Sequence, residues 1–103
     1  MLIHSVYFWF KATTPGAVLE RFEDGLKRLT TIEGVDDAFI GTPEATMKRP
    51  VIDDSYAWAL VLTFADVLAH DRYQDDPIHH AFLEEFGSSW ERVQVYDVNA
   101  RNR

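Results

Sequence analysis

The sequence predicts an α+β fold in which four strands make one antiparallel sheet and the helices lie on one of its faces. Three features carry that prediction. Two strand-like runs are apolar on both faces, an amphipathic helix separates them, and a helix interrupted at a proline precedes a terminal strand. At 103 residues the chain suffices for one domain and is too short for two. One domain is expected over 1–103, with its core at about 2–100.

Residues 2–11, LIHSVYFWFK, are β-branched and aromatic and predict the first strand. One face carries Ile3, Ser5, Tyr7 and Trp9; the other carries His4, Val6, Phe8 and Phe10. Thr13-Thr14-Pro15 predicts a helix start, with a hydroxyl cap and Pro15 at the first helical position. From there to about Thr31, Leu19, Phe22, Leu26 and Leu29 step by three and four and form one stripe. Glu23–Lys27 and Asp24–Arg28 are favourably spaced ion pairs on the outer faces. Gly34 punctuates the end.

A short strand is expected from Val35 to Gly41, followed by a polar loop over 42–54. Residues 55–64, SYAWALVLTF, form the most strand-like run, again with no polar face. Asp66 opens a short helix, and Asp76-Pro77 starts another that runs to about Ser89 on a stripe of Ile78, Phe82 and Phe86. Residues 92–98 predict the last strand, and 99–103 are expected to fray. The order β-α-β-β-α-β is that of the ferredoxin-like sandwich.

Such a fold covers one sheet face with helices and leaves the other bare. The first and third strands nevertheless carry large apolar side chains on both faces, more than a monomer leaves exposed. Two copies stacked sheet to sheet solve this, so a homodimer is expected, with a cavity between the sheets as one place for a ligand. Aromatic residues make up 14% of the chain, a generous supply for walls of that kind.

Composition narrows the function. Ten basic against 17 acidic residues give a net charge of −7, which disfavours nucleic acid and anionic membrane as partners. No run is long and apolar enough to span a bilayer. The first ten residues alternate like a strand and lack a basic leader or cleavage site, so a cytoplasmic protein is expected. With no cysteine, thiolate chemistry is excluded. No Cys cluster or H-x-x-x-H pair offers metal-ligand spacing, so neither metal nor cofactor is expected.

The histidines carry the remaining chemistry. With Asp76 as cap and Pro77 first, His79 falls in the first helical turn. The helix's positive end disfavours an imidazolium there. A neutral imidazole of this kind can take a proton from carbon beside a carbonyl. If the His4 face lines the cavity, His4 is a polar group on an apolar wall, the usual make-up of a ligand site. Tyr73 and Trp58 fit either a pocket wall or plain core. His80 should face solvent, and His70 should be a partly covered packing residue.

The segments IHSVYFWFK, YQDDPIHHAF and VQVYDV together resemble the stress-responsive dimeric α/β-barrel (Dabb) family. They match its first strand, its proline-broken helix and its terminal strand with an embedded Asp. The resemblance runs from Leu2 to about Ala100 and implies the ferredoxin-like fold and two protomers forming a barrel. One branch, the plant polyketide cyclase olivetolic acid cyclase, is an enzyme. By resemblance to it, His4, His79 and Tyr73 match pocket residues, and Asp97 matches the acid that partners the helix histidine. Leu26 stands where that branch has a second tyrosine, and Asp76 where the family usually has His.

The site expected from residues and resemblance together has His79, Asp97, His4 and Tyr73 as its polar members. Val6, Phe8, Phe10, Leu26, Trp58 and Phe82 form its wall. Its occupant is a small, largely apolar molecule bearing a carbonyl or ring, held between helix layer and sheet. Two functions are compatible with it: a binding or stability protein, or a cofactor-free cyclase, lyase or isomerase with His79 as base. Under the first, His79 bonds Asp97 and merely pins helix to sheet. A haem-degrading monooxygenase and an RNA binder of the same strand order lack their recognisable residues.

Overall fold

A computed structural model describes residues 1–101. Its elements are β1 (Leu2–Phe10), α1 (Gly16–Leu29), β2 (Val35–Gly41), β3 (Trp58–Phe64), α2 (Val67–Asp75), α3 (Pro77–Phe86), a 3-10 turn (Gly87–Ser89) and β4 (Trp90–Asn99). The strands form one antiparallel sheet in the order β2-β3-β1-β4, which is the ferredoxin-like arrangement.

Local chemistry explains where the elements begin and end. Pro15 caps α1 from extended backbone and accepts from the Val18 amide, so it precedes the helix instead of opening it. At the other end the Thr30 and Thr31 hydroxyls donate to the Lys27 and Arg28 carbonyls at 2.6 and 2.7 Å, satisfying acceptors that a longer helix would have used. Gly34 then takes φ +97°, the left-handed backbone that turns the chain into β2. β3 starts three residues later than its apolar pattern suggests. Ser55 is held back by Asp53, whose Oδ1 accepts from the Ser55 amide and hydroxyl at 3.0 and 2.6 Å. Asp66 and Asp76 cap α2 and α3 through bonds from Ala69 and Ile78, as read from sequence.

The core lies between the sheet and α1 and α3. Phe22, Leu26, Leu29, Leu60, Leu62, Phe64, Tyr73 and Phe86 are almost wholly buried. Leu19 and Ile78, expected in the helix stripes, sit at the stripe margins and are exposed, while Ile32, just past α1, joins the core. Gly25 lets α1 approach α3, because a Cβ there would run into the Phe86 ring. Across the same contact Arg21 and Arg28 both reach Glu85, at 3.2 and 3.0 Å. Arg28 therefore bridges two helices instead of pairing with Asp24; Glu23–Lys27 does form. Exposed pairs of this kind are worth only about 0–1 kcal/mol each.

The C-terminal strand runs on to Asn99, and the Ala100 amide donates to the Met1 carbonyl at 2.8 Å. The frayed tail expected from Asn99 onward is thus tied down at its start, and residues 102–103 lie outside the described part. The chain is a slab, 38 × 37 × 17 Å, with the second sheet face uncovered. Ile3, Tyr7 and Trp9 lie on that face, and Phe39 and Tyr96 remain 64% and 58% exposed. Among the described residues no helix is long and apolar enough to cross a membrane.

Candidate functional site

β4 is an edge strand next to β1, and α1 and α2 lie toward the far side of the sheet, over β2 and β3. On the helix side of the sheet Val93 and Val95 are left 38% and 41% exposed. The gap between that edge and α2–α3 is a cavity of about 190 Å³. His4, Val6 and Phe8 form its floor from β1; Tyr73, His79 and Phe82 form its roof. The register places His4, Val6 and Phe8 opposite Asp97, Val95 and Val93, so all six point to the helix side. The His4 face therefore lies under the helices and not on the intersheet side.

His79 occupies the third position of α3, positioned by the Asp76 cap. It is buried, its ring meets Tyr73 edge-on at 4.9 Å, and its Nδ1 has no hydrogen-bond partner. Burial holds its pKa below the usual imidazole value, helped by His80, His4 and His70 and opposed by Asp76. The direction is the one read from its place at the helix start, with burial as the larger cause. The Tyr73 phenol is pushed far up by burial and stays protonated.

Asp97 does not partner His79. Its Oδ1 lies 2.5 Å from His4 Nδ1, because the two residues are paired directly across β1 and β4. Burial lowers the pKa of His4, the Asp97 bond and charge pull it upward, and His70 presses it down again. His70, on α2, sits with its ring 4.9 Å from His4. His4, His70 and Asp97 each place a possible ligand atom within 4.8 Å of the others.

Three expected wall residues lie elsewhere. Phe10 packs on Phe22 at 4.8 Å beneath α1, Leu26 is sealed in the helix–sheet core, and Trp58 packs half-buried against that core. In their place stand Leu29, Leu60, Gln74 and Trp90. Trp90 is the consequential omission. Among the described residues the only buried side-chain polar atoms without a partner are His79 Nδ1 and Trp90 Nε1, and both residues line this cavity. Native interiors satisfy nearly all such groups, so two unpartnered atoms on one cavity wall set this cavity apart. A last strand begun at Arg92 hid Trp90, whose indole donor was the available signal.

The chain belongs to the stress-responsive A/B barrel domain family, which matches residues 2–100. It is similar to a Dabb family protein of ferredoxin-like fold from Mesorhizobium loti. That protein is 28% identical, with 98% of this chain and 97% of that one covered and a TM-score of 0.75. The hydroxynitrile lyase of Passiflora edulis is 17% identical over 99% of this chain and 94% of its own, with a TM-score of 0.78. A dimeric ferredoxin-like protein of unknown function from Thermobifida fusca is 18% identical over 94% and 88%, with a TM-score of 0.75. No curated protein matches the chain.

Proposed function

We propose that this protein acts as a homodimer and holds a small, largely apolar molecule bearing a carbonyl or ring in the cavity between helices and sheet. The observation that carries the reading is the pair of unpartnered polar atoms in one apolar cavity, His79 Nδ1 and Trp90 Nε1. An indole N–H only donates, so Trp90 calls for an oxygen acceptor on the ligand. His79, neutral because it is buried, can then meet an acidic hydrogen or a hydroxyl. At about 190 Å³ the cavity is below the roughly 300 Å³ where typical ligand sites begin, which limits the guest to one ring or a short chain.

Dimerisation rests on the uncovered sheet face and on the shape of the chain. Its radius of gyration is 14.3 Å, above the about 13 Å of a compact chain of this length. Sedimentation at micromolar concentration should give about twice the 11.9 kDa of one chain. A monomer there would remove the dimer.

A cofactor-free lyase or isomerase is the second reading. The neutral imidazole of His79 favours it, since such a group can accept a proton from carbon beside a carbonyl. The hydroxynitrile lyase among the structural neighbours lends it context of fold alone.

A thermal-shift screen of small aldehydes, ketones and phenols tests the cavity. Hits should raise the melting temperature of the wild type. Trp90→Phe keeps the ring and removes the donor, and should weaken a hit by about 2–12-fold, the worth of one hydrogen bond. Hits that bind Trp90→Phe and His79→Ala as well as wild type, or an absence of hits, would defeat the reading. Turnover of a hit that His79→Ala abolishes would select the enzyme.

A further inference from the structure

We propose that His4, His70 and Asp97 form a binding site for a divalent transition-metal ion, with Zn²⁺ as the expected occupant. This goes beyond the cavity reading and stands without it. Three elements deliver the ligands: His4 from β1, Asp97 opposite it on β4, and His70 from the first turn of α2. A possible ligand atom of each lies within 4.8 Å of the others. Two imidazoles and one carboxylate are donors suited to Zn²⁺, and three protein ligands leave a position open.

The surroundings fit a cation. His70 has a neighbour at each ring nitrogen, Asp71 Oδ1 at 3.1 Å from Nδ1 and the Gln74 amide at 3.3 Å from Nε2. When one nitrogen takes the ion, the other keeps its neighbour as the outer partner that orients a ligating histidine. His4 is buried and fixed by the strand pairing, whereas the Asp97 side chain is 46% exposed. Asp97 also lines an open depression with Leu2, Asp66, Val67 and Val98, which gives an ion a route from solvent.

Ligand atoms around tetrahedral Zn²⁺ stand about 3.4 Å apart. His4 Nδ1 and Asp97 Oδ1 are 2.5 Å apart, a direct hydrogen-bond contact with a proton between them. Replacing that proton by a metal ion moves Asp97 outward by about 1 Å and draws His70 in by a similar amount. Both motions belong to side chains at the sheet edge and on the short helix α2.

The test uses the full chain stripped with EDTA and titrated with Zn²⁺ by calorimetry and with Co²⁺ by absorption. One ion per chain is expected, with the visible bands of low-coordinate Co²⁺. Asp97→Asn preserves shape and a bond to His4, and His70→Ala removes a ring whose side chain is only 16% exposed, so the melting temperature of each variant is read beside its binding. Each should weaken Zn²⁺ binding by more than the about 10–100-fold of an outer-shell loss. His80→Ala, an exposed neighbour, should bind as wild type. No stoichiometric binding by wild type would overturn the site. So would binding that survives both Asp97→Asn and His70→Ala, or that is lost instead in His79→Ala.

Discussion

Phe22→Ala is expected to remove about 3–5 kcal/mol of stability, the range for losing a fully buried aromatic ring. Phe22 has no exposed surface. Its ring meets Phe8, Phe10, Phe82 and Phe86 with centroids 5.1, 4.8, 5.6 and 5.1 Å away, and Trp90 at 6.5 Å. From α1 it joins the first strand, the third helix and the entry to the last strand. Its removal opens a void among rigid aromatic neighbours that cannot collapse into it, so the cavity cost adds to the lost transfer energy. Domains of this size hold about 5–15 kcal/mol in all, so the variant should lose much of its margin. Urea unfolding at fixed protein concentration measures it, with Leu19→Ala as control: that exposed position on the same helix should change stability by no more than about 0.5 kcal/mol. A loss at Phe22 below about 1 kcal/mol would mean that the ring cluster is looser than its geometry.

Phe22 was legible because helical spacing alone places it on the buried stripe. The same holds for β1 and β3, whose β-branched and aromatic runs mark them as strands, and for the Asp66 and Asp76 caps. Periodicity is local, and these features are local. Asp97 shows where such reading ends. Whether it meets His4 or His79 depends on the register between β1 and β4, strands separated by most of the chain. The register His4↔Asp97 decides for His4. The cavity wall was misplaced for a related reason. Phe10, Leu26 and Trp58 are on the correct faces, but the opening lies toward β4, and which sheet edge the helices leave bare is a tertiary fact. His70 looked like packing because nothing in its own segment reveals that His4 and Asp97 come to stand beside it.

Acidification of the metal-free protein below about pH 6.5 should cost stability, with a slope of at most about 2.7 kcal/mol per pH unit. Burial lowers the pKa of both His4 and His79 from 6.5. Over the range between the ordinary and the lowered values, the unfolded chain binds protons that the folded chain refuses. Stability then rises with pH, and it is lost as pH falls through 6.5 and onward until the folded rings themselves charge. One missing proton is worth about 1.36 kcal/mol per pH unit, and two set the upper slope. His79→Phe should remove roughly half of it, since only His4 then remains to be charged on unfolding. Asp97→Asn should act oppositely on His4. The carboxylate bond and charge raise that ring's pKa, so without them the lowered value drops further and the loss extends to lower pH. Urea midpoints from pH 7.5 to 5, with EDTA present and protein concentration fixed, read all three. A flat wild-type profile would mean that both rings stay solvated in the folded chain. That outcome would also take the neutral, desolvated imidazole away from the His79 cavity.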